Sequence, residues 1–149
     1  MNFRYFEDFT VGEVIELGCI STTEQEIIEF AEQFDPQYFH LDKEKAKASM
    51  FGGLVASGWH GCGLLMRLMV DGMAKHSSSM GSPGVDEIRW LKPVRPDDPL
   101  TGTYQVLDVK PSRSKPDRGV VFCECTLKDG DGETVLLMRS KAIFGRRPD

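Results

Sequence analysis

The chain has 149 residues, 40% of them hydrophobic and 28% charged, which fits one globular domain over residues 1–149 with a sizeable core. Its 18 basic and 23 acidic residues give a net charge of −5, which argues against a general nucleic-acid binder. No window approaches the ~20 apolar residues of a membrane span, and the N-terminal segment is too charged for a signal peptide, so we expect a cytoplasmic protein with no membrane partner.

The first half of the sequence predicts a strand and then a helix. Residues 13–20 alternate in polarity, with Ile15, Leu17 and Cys19 on one face of a half-buried strand. Thr23 and Glu26 have the spacing of a capping box, which starts a helix. Its apolar positions follow at helical spacing: Ile27, Phe30, Ala31 and Phe34. Pro36 ends this helix, because the residue before a proline is disfavoured in helical geometry. A short polar helix or turn is expected at 42–49.

A second, longer helix is predicted from about Ser57 to Lys75. Its apolar face carries Leu64, Leu65, Leu68 and Met69. Its first turns contain Gly58, Gly61 and Gly63. A glycine destabilises a helix by about 1 kcal/mol relative to alanine, so three of them require an explanation. Either the helix packs closely against a strand or a ligand here, or its first turn is frayed.

The remainder of the chain predicts β structure. Strands are expected at 85–91, 101–109, 120–127 and 133–144, and the last two are joined by the turn sequence of residues 129–132. The order strand, helix, helix and four strands indicates an α+β architecture in which an antiparallel sheet wraps around the long helix. The four cysteines, at 19, 62, 123 and 125, lack zinc-site spacing and are interpreted as small core residues in a reducing compartment.

Asp35 and His40 are the first candidates for chemistry. On a continuous helix their side chains would diverge by about 140°, but the break at Pro36 allows them to turn toward one another, with His40 in irregular backbone. A carboxylate beside an imidazole can position water and move protons near neutral pH. The alternative is that Asp35 only ends the helix and His40 fills a polar gap.

The start of the second helix is the other candidate. Helix N-termini present free N–H groups and suit an anion or a developing oxyanion, although the glycines at Gly58 can also serve packing alone. We interpret His60 as a core or interface residue and Trp59 mainly as packing. Ser57 lies outside any Gly-x-Ser-x-Gly elbow, which argues against a serine nucleophile.

These residues resemble the signature of the MaoC-like family, the (R)-specific enoyl-CoA hydratases and related acyl dehydratases. Asp35 and His40 match by type and spacing, with Ala46 six residues further on. The family's oxyanion-hole glycine stands eighteen residues after the histidine, where this chain has Gly58. Gln37, Tyr38 and Ser57 stand where the family usually has Asn, Pro and often His. Residues 88–100, with Pro93 and Asp97-Asp98-Pro99, are also similar to the family's strand after the central helix.

The resemblance implies a hotdog fold, a homodimer or dimer-based oligomer, and reversible hydration of a trans-2-enoyl-CoA to an (R)-3-hydroxyacyl-CoA. Asp35 and His40 would hold and activate the water, and the Gly58 N–H would stabilise the thioester oxygen. Gln37, Tyr38, Ser57 and Trp59 are the predicted substrate-binding residues. No metal or redox cofactor is expected, since coenzyme A belongs to the substrate.

Two alternatives remain open from the sequence. Hotdog proteins include acyl-CoA thioesterases, which usually lack the Asp-to-His spacing seen here. A non-catalytic acyl-CoA-binding protein with the same fold is the other alternative. Five apolar side chains are candidates either for the acyl tunnel or for the core: Phe34, Tyr38, Phe39, Trp59 and Met66.

Overall fold

A five-stranded antiparallel sheet and one long helix dominate the structure, a computed structural model that describes residues 2–149. The strands are β1 (Val14–Ile20), β2 (Gly84–Trp90), β3 (Leu100–Pro111), β4 (Arg118–Lys128) and β5 (Thr134–Gly145). The helices are α1 (Glu24–Phe34), the short α2 (Tyr38–Leu41) and α3 (Lys43–Ala46), and the long α4 (Gly58–Gly72). Short 3-10 turns occupy Phe6–Asp8 and Ala74–His76.

The sheet has the strand order β1-β3-β4-β5-β2, and every neighbouring pair is antiparallel. The turn predicted at residues 129–132 joins β4 to β5, where the Asp129 N–H donates to the Glu133 carbonyl at 2.9 Å. Gly132 has a φ of +80°, which the turn requires and which glycine adopts without strain.

Helix α4 packs in the concave face of the sheet. Its side chains Leu64, Leu65 and Leu68 are buried in one apolar cluster with Leu17 of β1 and Leu136 of β5. The close approach depends on Gly102 of β3, where a Cβ atom would stand 2.7 Å from Cδ1 of Leu68. An antiparallel sheet curved around one central helix confirms the predicted hotdog fold.

Helix α1 places Asp35 at the edge of this core. Thr23 Oγ1 accepts a hydrogen bond from the Glu26 N–H at 3.1 Å, and Glu26 accepts one from the Thr23 N–H at 3.0 Å, which confirms the capping box. Ile27 and Ala31 are fully buried and fix the helix on the core. Phe34, predicted on the apolar face, is instead 69% exposed, because it lies at the last turn where α1 leaves the core.

Three further expectations were wrong in detail. Cys19 is exposed, because the ladder of β1 shifts register between Glu16 and Gly18 and the alternation is interrupted there. The long helix ends at Gly72, three residues early, where the backbone turns into a 3-10 segment. His40 lies in helix α2 and not in irregular backbone, because the chain resumes helical geometry directly after Pro36 and Gln37. Among residues 2–149, no helix is both long and apolar enough to cross a membrane.

Candidate active site

Asp35 and His40 come together as the sequence predicts. Asp35 caps the C-terminus of α1 with a φ of −153°, and Pro36 and Gln37 turn the chain into α2, which carries His40. The Oδ2 atom of Asp35 lies 3.3 Å from Nε2 of His40, and both side chains are mostly buried. The five-residue spacing therefore brings a carboxylate and an imidazole together, because the helix is interrupted between the two residues.

The orientation of the His40 ring is fixed by the backbone. Nδ1 of His40 lies 2.6 Å from the carbonyl oxygen of Val55, and a carbonyl can only accept, so the proton is on Nδ1. This directs Nε2 toward Asp35 and the open side of the site. Val55 is itself held, since its N–H donates to the Phe39 carbonyl at 3.1 Å.

Asp35 is surrounded by hydrogen-bond donors. Gln37 Nε2 donates to its Oδ1 at 2.6 Å, and the Ser57 hydroxyl donates to its Oδ2 at 2.7 Å. Burial alone raises the pKa of Asp35, but the bonds from Gln37 and Ser57, together with the field of His40, lower this pKa below its ordinary value. The carboxylate is therefore the stable form at neutral pH.

The start of α4 faces the same place. Gly58 is the first residue of the helix, so its N–H has no acceptor within the helix. Ser57 occupies the N-cap position, where a serine usually accepts from the helix N–H groups, but its hydroxyl is turned to Asp35 and makes no capping bond. The N-terminus of α4 consequently keeps its capacity to stabilise a negative charge.

One cavity of about 510 Å³ includes Asp35, His40 and Gly58 in its wall. Of the predicted substrate-binding residues, Gln37, Ser57 and Trp59 also line it. Tyr38, in contrast, does not line the cavity. Its side chain is 48% exposed, and its ring packs edge to face with that of Phe39, with ring centroids 5.1 Å apart. Among the tunnel candidates, Phe39 lines the cavity, whereas Phe34 and Met66 do not.

The sequence did not single out a large part of the cavity wall. That wall is contributed by the loop after α3, by the end of β2 with the segment that follows it, and by the start of β5: Met50, Phe51, Trp90, Leu91, Lys92, Pro93, Val94, Val135 and Leu136. Of these residues the sequence marked only Pro93 by name, and it placed Trp90 within the predicted strand at 85–91. The strand pairing that brings β2 and β5 to the helix start is a long-range contact, which local periodicity does not contain.

His60 is a core residue, as interpreted from the sequence. It is 8% exposed, and its Nε2 lies 3.1 Å from the Thr22 hydroxyl. Its ring packs tilted against that of Phe30, with ring centroids 4.9 Å apart. Its Nδ1 is buried without a hydrogen-bond partner within residues 2–149. Burial, opposed weakly by Glu26, lowers the pKa of His60, so this ring is kept neutral.

Comparison with known proteins tests the family resemblance of the sequence. The model of the MaoC like domain matches residues 8–122 of the chain. The chain belongs to the MaoC-like family. This MaoC-like protein is 32% identical over 109 residues to the uncharacterized protein YdeM of Bacillus subtilis, covering 73% of the chain and 77% of YdeM.

Solved structures give the same result. The MaoC-like dehydratase from Rhodospirillum rubrum superimposes with a TM-score of 0.89 at 39% identity, covering 98% of this chain and 99% of the other. An (R)-hydratase from A. caviae involved in PHA biosynthesis superimposes with a TM-score of 0.72, covering 95% and 99%. At 19% identity the second likeness shows a shared fold.

Proposed function

We propose that this MaoC-like protein is a hydro-lyase that adds water reversibly to a trans-2-enoyl-CoA and forms an (R)-3-hydroxyacyl-CoA. The observation that carries the proposal is the meeting of three residues at one cavity: Asp35, His40 and Gly58, the first residue of α4, whose N–H has no acceptor within the helix. Family membership and the fold shared with the A. caviae (R)-hydratase support a hydratase or dehydratase role.

In this proposal Asp35 and His40 hold the reacting water. A water in the cavity would donate one hydrogen bond to Asp35 and one to Nε2 of His40, both of which are acceptors when His40 carries its proton on Nδ1. As the water oxygen bonds to C3 of the enoyl group, the pair takes the proton that the water loses. A proton is then delivered to C2, so that one water is added in total.

Gly58 would act on the other end of the conjugated system. Attack at C3 moves electrons through C2 to the thioester oxygen, which becomes enolate-like. The Gly58 N–H and the positive end of the α4 dipole stabilise that oxygen. Removing one such donor in other enzymes costs about 10²–10³-fold in kcat, so this contribution is comparable to that of a positioned acid/base group.

The substrate would be an acyl thioester without a metal or redox cofactor in the protein, coenzyme A being part of the substrate. Apart from Asp35, His40 and a few further polar side chains, aromatic and aliphatic side chains line the cavity. That wall suits an acyl chain, which gains from leaving water.

We also propose that the protein acts as a homodimer or a dimer-based oligomer. α4 leaves Trp59, Met66 and Val70 exposed by 58%, 49% and 38%, an apolar strip next to the cavity. Apolar strips of this kind mark association surfaces. Light scattering at several protein concentrations should give twice the chain mass or a multiple of it, and a monomer at all concentrations would contradict this part of the proposal.

The test is a hydration assay with crotonyl-CoA and with a longer trans-2-enoyl-CoA. We expect enoyl-thioester absorbance to fall without release of free thiol, and chiral chromatography of the product to give the (R)-3-hydroxyacyl form. Thiol release in a parallel assay would identify a thioesterase instead. Binding of both compounds without turnover would identify an acyl-CoA-binding protein.

A matched pair of histidine variants separates chemistry from folding. His40→Asn keeps an amide that can donate to the Val55 carbonyl but offers nothing at the position of Nε2, so hydration should fall by at least ~10²-fold. His76→Asn changes an exposed histidine outside the cavity and should retain wild-type turnover. Equal turnover in the two variants would remove His40 from the mechanism.

A further inference from the structure

Trp90, the last residue of β2, lies directly against Gly58, the first residue of α4. A Cβ atom built on Gly58 would stand 2.5 Å from Nε1 and 2.6 Å from Cε2 of the Trp90 indole, closer than real Cβ atoms approach any heavy atom. Gly58 has no positive φ, so its backbone conformation is open to other residues. It is the indole, therefore, that requires glycine at this position.

Both partners of this contact are anchored to regular structure. The backbone of Trp90 pairs with Leu136 of β5. The N–H of the following residue, Leu91, donates to the Val135 carbonyl at 2.9 Å. The Trp90 and Trp59 rings pack edge to face with centroids 5.3 Å apart, and Trp90 lines the cavity together with Gly58. The sheet thus fixes the Trp90 backbone beside the helix start, and its half-exposed indole contacts both Gly58 and Trp59.

We propose that Trp90 is a positioning residue for hydration: its indole sets where the Gly58 N–H points and closes that side of the oxyanion site to water. This inference rests on the proposed function. An oxyanion donor works by being held in place before charge develops, and exclusion of water strengthens its interaction. Trp90 supplies both without donating to the substrate itself.

The contact makes a specific prediction for a double-mutant cycle. Gly58→Ala keeps the backbone N–H but collides with the indole and displaces the helix start, and a displacement of about 1 Å can cost about 10²-fold in kcat. Trp90→Leu makes room for the new methyl group. In the Trp90→Leu background we therefore expect Gly58→Ala to cost at least ~10-fold less in kcat than it does in the wild type.

Two further variants keep the test independent of folding. Gly63→Ala lies in the same helix, where no atom of residues 2–149 beyond its chain neighbours and the helix backbone comes within 4 Å of the added Cβ, and it should leave turnover at the wild-type level. Trp90→Phe retains an aromatic wall and should recover most of the kcat that Trp90→Leu loses, with KM changing less than kcat in both. If Gly58→Ala does not fold, this comparison of Phe with Leu carries the test.

The experiment is steady-state hydration of crotonyl-CoA by these variants, with thermal unfolding measured on each. If the kcat losses of Gly58→Ala and Trp90→Leu simply multiply in the variant that carries both, the role of Trp90 is overturned and the proposed function stays intact. Equal kcat for Trp90→Phe and Trp90→Leu would have the same meaning. A wild-type protein that hydrates neither crotonyl-CoA nor the longer trans-2-enoyl-CoA would overturn the proposed function, and with it the role of Trp90 in hydration. If only the longer substrate is hydrated, the same variants are compared on that substrate.

Discussion

The hydroxyl of Ser57 donates a 2.7 Å hydrogen bond to Oδ2 of Asp35, although Ser57 stands at the N-cap of α4. This one bond has two consequences. It stabilises the carboxylate that neighbours His40, and it leaves the N–H groups at the start of α4 without a capping side chain. Ser57 thereby links the Asp35–His40 pair to the start of α4.

Ser57→Ala should therefore shift the pH dependence of hydration. The Ser57 bond lowers the pKa of Asp35, so its removal raises that pKa. Because the ionised form is needed, the acid limb of the kcat/KM profile should move to higher pH while the alkaline limb stays in place. The measurement is kcat/KM for crotonyl-CoA across the acidic range. An acid limb identical to that of the wild type would show that Asp35 does not control it.

Asp35→Asn should cut turnover by at least ~10²-fold, the scale for loss of a positioned acid/base group. The amide has nearly the same shape, so the fold should be retained. Asp131→Asn, in the exposed hairpin between β4 and β5, is the matched control and should keep wild-type turnover. Steady-state hydration of crotonyl-CoA measures both. Near wild-type turnover by Asp35→Asn would exclude Asp35 from the mechanism.

Neutral His60 should make the protein sensitive to acid. Burial lowers the pKa of His60, so the unfolded chain takes up this proton at a higher pH than the folded protein does. The free energy of unfolding therefore decreases as the pH falls below the ordinary histidine pKa of about 6.5. This one group lowers it by at most about 1.4 kcal/mol per pH unit.

His60→Gln should flatten that part of the profile, measured by urea denaturation between pH 7 and 5. His76→Gln, at an exposed position, should leave the slope unchanged. An identical slope in wild type and His60→Gln would show that some other group causes the acid sensitivity.

Ile27 anchors the helix that carries Asp35, and Ile27→Ala should destabilise the protein by about 2–5 kcal/mol, since the side chain is fully buried. Glu32→Ala, on the exposed face of the same helix, should change stability by less than about 0.5 kcal/mol. Urea denaturation with an unchanged m-value measures both. Equal stability of the two variants would mean that α1 is not fixed through Ile27.

The sequence by itself determined the features that depend on local chemistry. The capping box of Thr23 and Glu26, the helix end before Pro36 and the turn at 129–132 each follow from a few neighbouring residues, and the structure confirms all three. The sequence also identified Asp35, His40 and Gly58 by their spacing, because all three lie on the stretch of chain between the end of α1 and the start of α4.

Only the tertiary structure decided what surrounds those residues. Ser57 turns to Asp35, and Val55 fixes the His40 ring, through contacts between different elements of that stretch. Trp90, which covers Gly58, comes from a strand later in the chain. The exposure of Cys19 likewise depends on a register shift against β3. Such contacts are set by strand pairing and side-chain packing, which the periodicity of a single segment does not encode.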